Sequence, residues 1–143
     1  MYSRKAHYYE TDQMGVVHHA NFIHWIEEAR VDFMDSVGFG YRQMEEFDIT
    51  SPVLMVHCEY KKSVKFDDVV DIWCGVSAFD GVRMSVEYRI FNTRTNELVA
   101  EGESRHCFLG KNGRPISLKK ALPEFYSLFS KLSVKDEKEI EGQ

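Results

Sequence analysis

The chain has 143 residues, 43% hydrophobic and 29% charged, with a formal net charge of -5. That is the size of one domain around one core. The acidic balance argues against nucleic acid as a primary partner, and no stretch approaches the ~20 apolar residues a membrane span needs. Met1 to His7 contain no apolar run of the signal-peptide kind, so a cytoplasmic location is expected. Cys58, Cys74 and Cys107 are odd in number and widely spaced. They read as buried reduced thiols, not as a disulfide framework or a zinc knuckle.

Ser3 to Glu10 reads as a first strand ending on Tyr8 and Tyr9, and a tight loop, Thr11 to Val17, follows it. From about His19 to Val37 the apolar spacing turns helical. Phe22, Ile26, Ala29, Phe33 and Val37 share one face, which Ile23, Trp25 and Met34 widen. Asn21 is a candidate N-cap, with a start at His18 as the alternative. Gly38 is a suitable stop, and Tyr41 to Phe47 is long enough for one helical turn.

Beyond Ser51-Pro52 the pattern is β. Leu54, Val56, Cys58 and Tyr60 alternate with Met55, His57, Glu59 and Lys61, and Val70, Ile72, Cys74 and Val76 share a face. Asp80-Gly81 signals a hairpin into Arg83 to Phe91, where Met84, Val86, Tyr88 and Ile90 point inward. Leu98 to Leu109 is the last strand, with Gly102 marking a bulge or a close approach. Leu122-Pro123 opens a short helix whose Phe125, Leu128, Phe129 and Leu132 can cover one end of the sheet.

One strand, one strongly apolar helix and four hairpin-linked strands imply an α+β hot-dog fold. In it a five-stranded antiparallel sheet curls around one long central helix. Residues 1–133 would form this single domain and 134–143 a charged C-terminal tail. Such a unit leaves an edge strand unpaired, so self-association is expected.

The chemistry concentrates between Tyr8 and Arg30. A carboxylate, Asp12, lies a few residues before a helix N-terminus, whose backbone N–H groups stabilise negative charge developing on a carbonyl oxygen. Spacing alone fits an Asx-turn or capping aspartate better than a catalytic one. His18, His19 and His24 do not fall on one helical face, so no metal site is expected there or with His57 and His106. Lys61, Lys62 and Lys65 read as a solvated strand end.

Tyr8-x-Glu10-Thr11-Asp12-x-x-Gly15-Val16-Val17-x-His19-Ala20-Asn21-Phe22, with Glu28-Ala29-Arg30, resembles the signature of the 4-hydroxybenzoyl-CoA thioesterase family. It is most similar to the short acyl-CoA thioesterase branch linked to the Tol–Pal cluster. Ser51-Pro52-Val53, Phe66-Asp67-Asp68 and Arg114-Pro115 extend the resemblance over roughly residues 5 to 130. It implies hydrolysis of an acyl-CoA thioester without metal or organic cofactor. Asp12 would be general base or nucleophile, and the His19 backbone N–H the oxyanion donor. Tyr8 and the His19 side chain match residues assigned to catalysis in that branch.

The resemblance also places the site between two subunits of a homodimer, or of a homotetramer of paired dimers. Gly15, Val16, Val17 and Ser51 would bind substrate, with the Thr50-Ser51 turn reaching the other subunit's pocket. Arg114, the best match, and then Arg83 are the candidates for the CoA phosphates, while Asp80-Gly81-Val82 departs from the basic run that some relatives carry. Two rival readings remain: a hot-dog hydratase or dehydratase using Glu27 or Glu28, and a non-catalytic acyl-thioester binding module.

Overall fold

Alternation across residues 69–107 turns one apolar face of three hairpin-linked strands toward a single helix. A computed structural model describes residues 1–141. The elements are β1 (Tyr2–Lys5), a 3-10 turn (Tyr8–Glu10), α1 (Ala20–Ser36), α2 (Tyr41–Glu46), β2 (Val53–Tyr60), β3 (Val69–Phe79), β4 (Arg83–Asn92), β5 (Leu98–Cys107), α3 (Leu118–Ala121) and α4 (Pro123–Glu141). The sheet runs β1-β3-β4-β5-β2, with every pairing antiparallel. This is the expected hot-dog architecture, except that β2 crosses to the far side of β5 instead of joining β3 by a hairpin. No helix among the described residues is long and apolar enough to cross a membrane.

The inward residues of β4 (Met84, Val86, Tyr88, Ile90) are at most 2% exposed, as are Val70, Ile72 and Val76 of β3. From α1, Phe22, Trp25, Ile26, Ala29 and Met34 seal against them. Each large side chain buried this way contributes about 1.5–3 kcal/mol. Phe33 and Val37, expected on the buried face, are only half-buried, because burial follows Trp25 and Met34 around the helix. At Gly102 a Cβ would lie 2.6 Å from the His57 carbonyl oxygen, so the glycine marks a close approach.

Several boundaries differ from expectation. β1 stops at Lys5, and Tyr8 to Glu10 form the 3-10 turn instead of a strand end. The β3–β4 hairpin is centred one residue late. The Asp80 N–H donates to the Arg83 carbonyl at 3.2 Å, making Gly81, at φ +92°, the first central residue. Asp80 Oδ1 then accepts the Val82 and Arg83 N–H groups at 2.9 and 2.7 Å. The three cysteines form no disulfide among the described residues and are half-buried, not fully buried.

α4 covers one end of the sheet as foreseen. Phe125 stacks on Phe39 at 3.9 Å, and Phe129 meets Phe79 at 5.4 Å. The helix passes position 133, where the domain was expected to end; residues 142 and 143 of the expected tail lie outside the described residues.

The two sheet edges are unlike. β1 is short and carries Arg4 and Lys5, features that discourage pairing with another chain. β2 has eight residues, and its Val53, Leu54, Val56 and Tyr60 are 41–51% exposed. Val56, Cys58 and Tyr60 pair with Ser104, Gly102 and Ala100, so they face the same side as the core, at its margin, where Tyr60 meets Phe22 of α1 edge-on at 5.2 Å.

Candidate active site

The loop before α1 is a small hairpin. Thr11 bridges Val17, and Val16 bridges Lys65. The Asp12 N–H donates to the Val16 carbonyl at 2.9 Å, and the Gly15 N–H donates to the Asp12 carbonyl at 3.0 Å. Gly15 has φ +76°, a conformation costly for a residue with a Cβ. Asp12 is half-buried, and its Oδ1 accepts the Met14 N–H at 2.8 Å. The local role favoured by spacing is therefore present: this is an Asx-turn. It holds one carboxylate oxygen and so orients the other.

The hairpin delivers the chain to the helix start. The His18 N–H donates to the Glu10 carbonyl at 2.8 Å, and His18 Nδ1 accepts the Ala20 N–H at 3.1 Å. His18 thus supplies the side-chain cap that Asn21 was expected to supply. Asn21 instead donates from Nδ2 to the Glu10 carbonyl at 2.9 Å. His19 is the N-cap residue, at φ -56°, ψ -33°, its ring stacked on His18 at 4.2 Å. Among the described residues no acceptor takes the His19 N–H. Its carbonyl accepts the Phe22 N–H at 3.2 Å and the Tyr60 hydroxyl at 3.0 Å.

A cavity of ≈ 290 Å³ opens beside this start, lined by Val16, Val17, His19, Phe22, Tyr60 and residues 61–63. The lysines at its rim are already paired. Lys61 lies 3.1 Å from Glu59 and 3.6 Å from Glu101, and Lys62 pairs with Glu97. Tyr8 is 76% exposed and packs edge-on to Phe66 at 5.6 Å, so it is not a core aromatic.

Ser51, Arg83 and Arg114 lie elsewhere. Ser51 precedes β2 and lines another cavity of ≈ 280 Å³ with Tyr41, Met44 and Ile49. Arg83 pairs with Cys107 at the end of β5, and the Arg114 carbonyl accepts the Gly110 N–H at 2.9 Å. All three thus belong to the end of the sheet opposite Tyr60 and the Asp12 loop. β2 alone separates those ends by about 25 Å.

Glu27 and Glu28 line a third cavity of ≈ 520 Å³ on the outer side of α1, with His24 and Asp32. Glu28 is held by Arg4 at 3.0 Å and by the Tyr2 hydroxyl at 2.9 Å, so it braces β1 and not the loop. Neither glutamate shares the His19 cavity. Among the described residues no group of three or more His, Cys, Asp or Glu could hold a metal ion.

Sequence reasoning missed Glu10, Tyr60 and the capping role of His18. The acceptor contacts of Glu10 were unreadable because Arg4 and Trp25 reach it only through tertiary packing. Burial raises its pKa, but the His7 amide, the Trp25 indole and Arg4 outweigh that and hold it below the usual carboxylate value. Burial also raises the Tyr60 phenol.

The thioesterase-like superfamily model matches residues 7–129. A Bacillus subtilis (strain 168) protein provisionally named acyl-CoA thioesterase YneP is 31% identical over 128 residues, 89% of this chain and 92% of its own. Acyl-CoA thioesterase YbgC of Haemophilus influenzae is 29% identical over 87 residues, 60% of this chain and 64% of its own. A solved structure of the DHNA-CoA thioesterase from Staphylococcus aureus superposes with a TM-score of 0.88 at 32% identity, covering 99% of this chain and 93% of that one.

Proposed function

The chain belongs to the thioesterase-like superfamily and is a thioester hydrolase, and from that premise we propose that it cleaves an acyl-CoA to the free acid and CoA at the loop that joins Asp12 to His19. The observation that carries this reading is the His19 N–H. It stands at the head of α1 without an acceptor among the described residues, one short hairpin from an oriented carboxylate.

The carbonyl oxygen of the thioester takes the His19 N–H, where the aligned peptide dipoles of α1 add to the field. Asp12 removes a proton from the attacking water, or attacks the carbonyl carbon itself to form a mixed anhydride that water then opens. In either course the C–S bond breaks and the sulfur leaves as a thiolate. That leaving group is good enough to need little help from an acid. Tyr8, exposed beside the loop, is free to contact the acyl-CoA.

The site works in a homodimer. Antiparallel pairing of two β2 edges about a two-fold axis sets the beginning of one strand beside the end of the other. It therefore brings Ser51, with Arg83 and Arg114 behind it, toward the His19 cavity of a second copy. Those arginines then supply the charge for the CoA phosphates that the paired Lys61 and Lys62 do not.

The test follows release of free thiol from a panel of acyl-CoAs. Wild type turns over, and Asp12→Asn loses about 10²–10⁴-fold in kcat, the range of one general base. Full activity in Asp12→Asn removes Asp12 from the chemistry. Tight binding of acyl-CoA without turnover by wild type identifies a binding module instead.

A further inference from the structure

Among the charged side chains that the reaction does not use, Glu10 is 2% exposed and makes contacts from both its side chain and its backbone. Oε1 accepts the His7 N–H at 2.8 Å and an N–H of Arg4. Oε2 accepts the Trp25 indole N–H at 2.9 Å. The backbone carbonyl accepts the His18 N–H at 2.8 Å and Asn21 Nδ2 at 2.9 Å. Side chain and carbonyl together join β1, the 3-10 turn and two successive turns of α1 at one residue.

The position of that residue matters more than the number of its bonds. Glu10 and His18 bracket the hairpin that carries Asp12, and the bond between them closes its base. Trp25 anchors the same residue to the body of α1, whose first N–H groups face the reacting carbonyl. The relative placement of the Asp12 carboxylate and the His19 N–H therefore passes through Glu10. We propose that Glu10 is the positioning residue of this thioesterase, setting the distance between carboxylate and oxyanion donor without touching substrate. The proposal rests on the roles given above to Asp12 and His19.

A carboxylate suits this place because three donors converge on two acceptor oxygens. Glutamine keeps one acceptor and turns an NH₂ group toward a donor, which leaves a buried group unpaired. Burial without those donors would drive the acid to its neutral form, and the donors keep it ionised. Glu10 has no route to the substrate at 2% exposure, so its influence is felt through geometry. Misplacement of a catalytic group by about 1 Å costs on the order of 10²-fold in rate.

The experiment compares wild type, Glu10→Gln, Asn21→Ala and Asp12→Asn by steady-state kinetics on acyl-CoA and by amide hydrogen exchange. Asn21→Ala removes only the clamp on the Glu10 carbonyl and leaves a good helix former behind. Glu10→Gln is expected to lose about tenfold or more in kcat with KM within about twofold, and Asn21→Ala a smaller loss of the same kind. Exchange should quicken at residues 11–19 while β3, β4 and β5 stay protected. An unchanged kcat in Glu10→Gln, or unchanged exchange across the hairpin, overturns the proposal. If Glu10→Gln does not fold, Asn21→Ala decides by the same criteria. If wild type cleaves no thioester, the functional reading fails and this proposal falls with it. An active wild type with an inactive Asp12→Asn and an unaffected Glu10→Gln rejects Glu10 alone.

Discussion

His19 carries two separable groups, an exposed imidazole and a backbone N–H, and the geometry separates them by experiment. Its φ of -56° is within the range of proline. His19→Pro therefore deletes the N–H while keeping the local backbone, whereas His19→Ala deletes the ring and keeps the N–H. We expect His19→Pro to lose about 10²–10³-fold in kcat, as removal of an oxyanion donor does elsewhere, and His19→Ala to keep most activity. Comparable losses in both would assign the work to the imidazole. The local geometry at Asp12, Gly15 and His19 was legible from the sequence because what holds it is local: an Asx-turn, a positive φ and a helix start. Glu10 and Tyr60 were not, because Trp25 and His19, the groups they hold, come from 15 and 41 residues away. Tyr8 misled in its placement: aromatic residues favour strands, yet this one sits exposed on a turn.

Between elements, a buried polar chain ties α1 and α2 to the sheet. Arg30 Nε donates to the Tyr41 hydroxyl at 2.8 Å, and Nη1 donates to the Tyr88 hydroxyl at 3.1 Å. Tyr88 continues to Ser104 at 2.6 Å, and Ser104 to His106 Nε2 at 2.7 Å. Burial pushes the His106 pKa down from 6.5 to about 4, helped by the Arg30 charge and opposed by the Pro52 carbonyl. Burial likewise pushes Tyr88 up to about 12 against the pull of Arg30. Because His106 is held neutral when folded, the unfolded chain binds the extra proton between pH 6.5 and 4. Stability from this group is whole above pH 6.5 and falls as pH drops toward 4, by about 3 kcal/mol in all. Thermal unfolding from pH 7.5 to 4.5 should show a Tm that declines on acidification, and His106→Gln should flatten that decline. An identical slope in both proteins rejects the assignment. Alternation in the sequence put Tyr88 and its neighbours on the inner face correctly. It could not show that Arg30, two positions from Glu28 on the same helix, turns inward to join them.

At the scale of the whole molecule, the chain divides its candidate site residues between the two ends of its sheet. The Asp12 hairpin and His19 stand at the Tyr60 end of β2, while Ser51, Arg83 and Arg114 stand at the other. The family resemblance called for all of them in one site, and a single chain cannot bring them together across about 25 Å of strand. A long, apolar and unpaired edge is a hazard unless it is covered, and in the proposed homodimer the pairing of β2 with β2 of a second copy would remove the hazard and bring the two groups of candidate residues together. This makes a sharp prediction for mixed oligomers. Asp12→Asn lacks the carboxylate but keeps Ser51 to offer, and Ser51→Trp blocks the neighbouring pocket but keeps its own Asp12. Each alone should be nearly inactive. After co-refolding in equal amounts, half of the dimers are hybrids, and half of the sites in a hybrid join an intact Asp12 to an intact Ser51. Activity should then recover to about a quarter of wild type. Sites complete within one protomer would give no recovery, because every chain in the mixture carries one defect. A Val56→Lys variant, with a charge set on the exposed edge, should leave a monomer in sedimentation equilibrium and lose activity with the dimer. A monomeric Val56→Lys that still hydrolyses acyl-CoA at the wild-type rate would return the whole site to one chain.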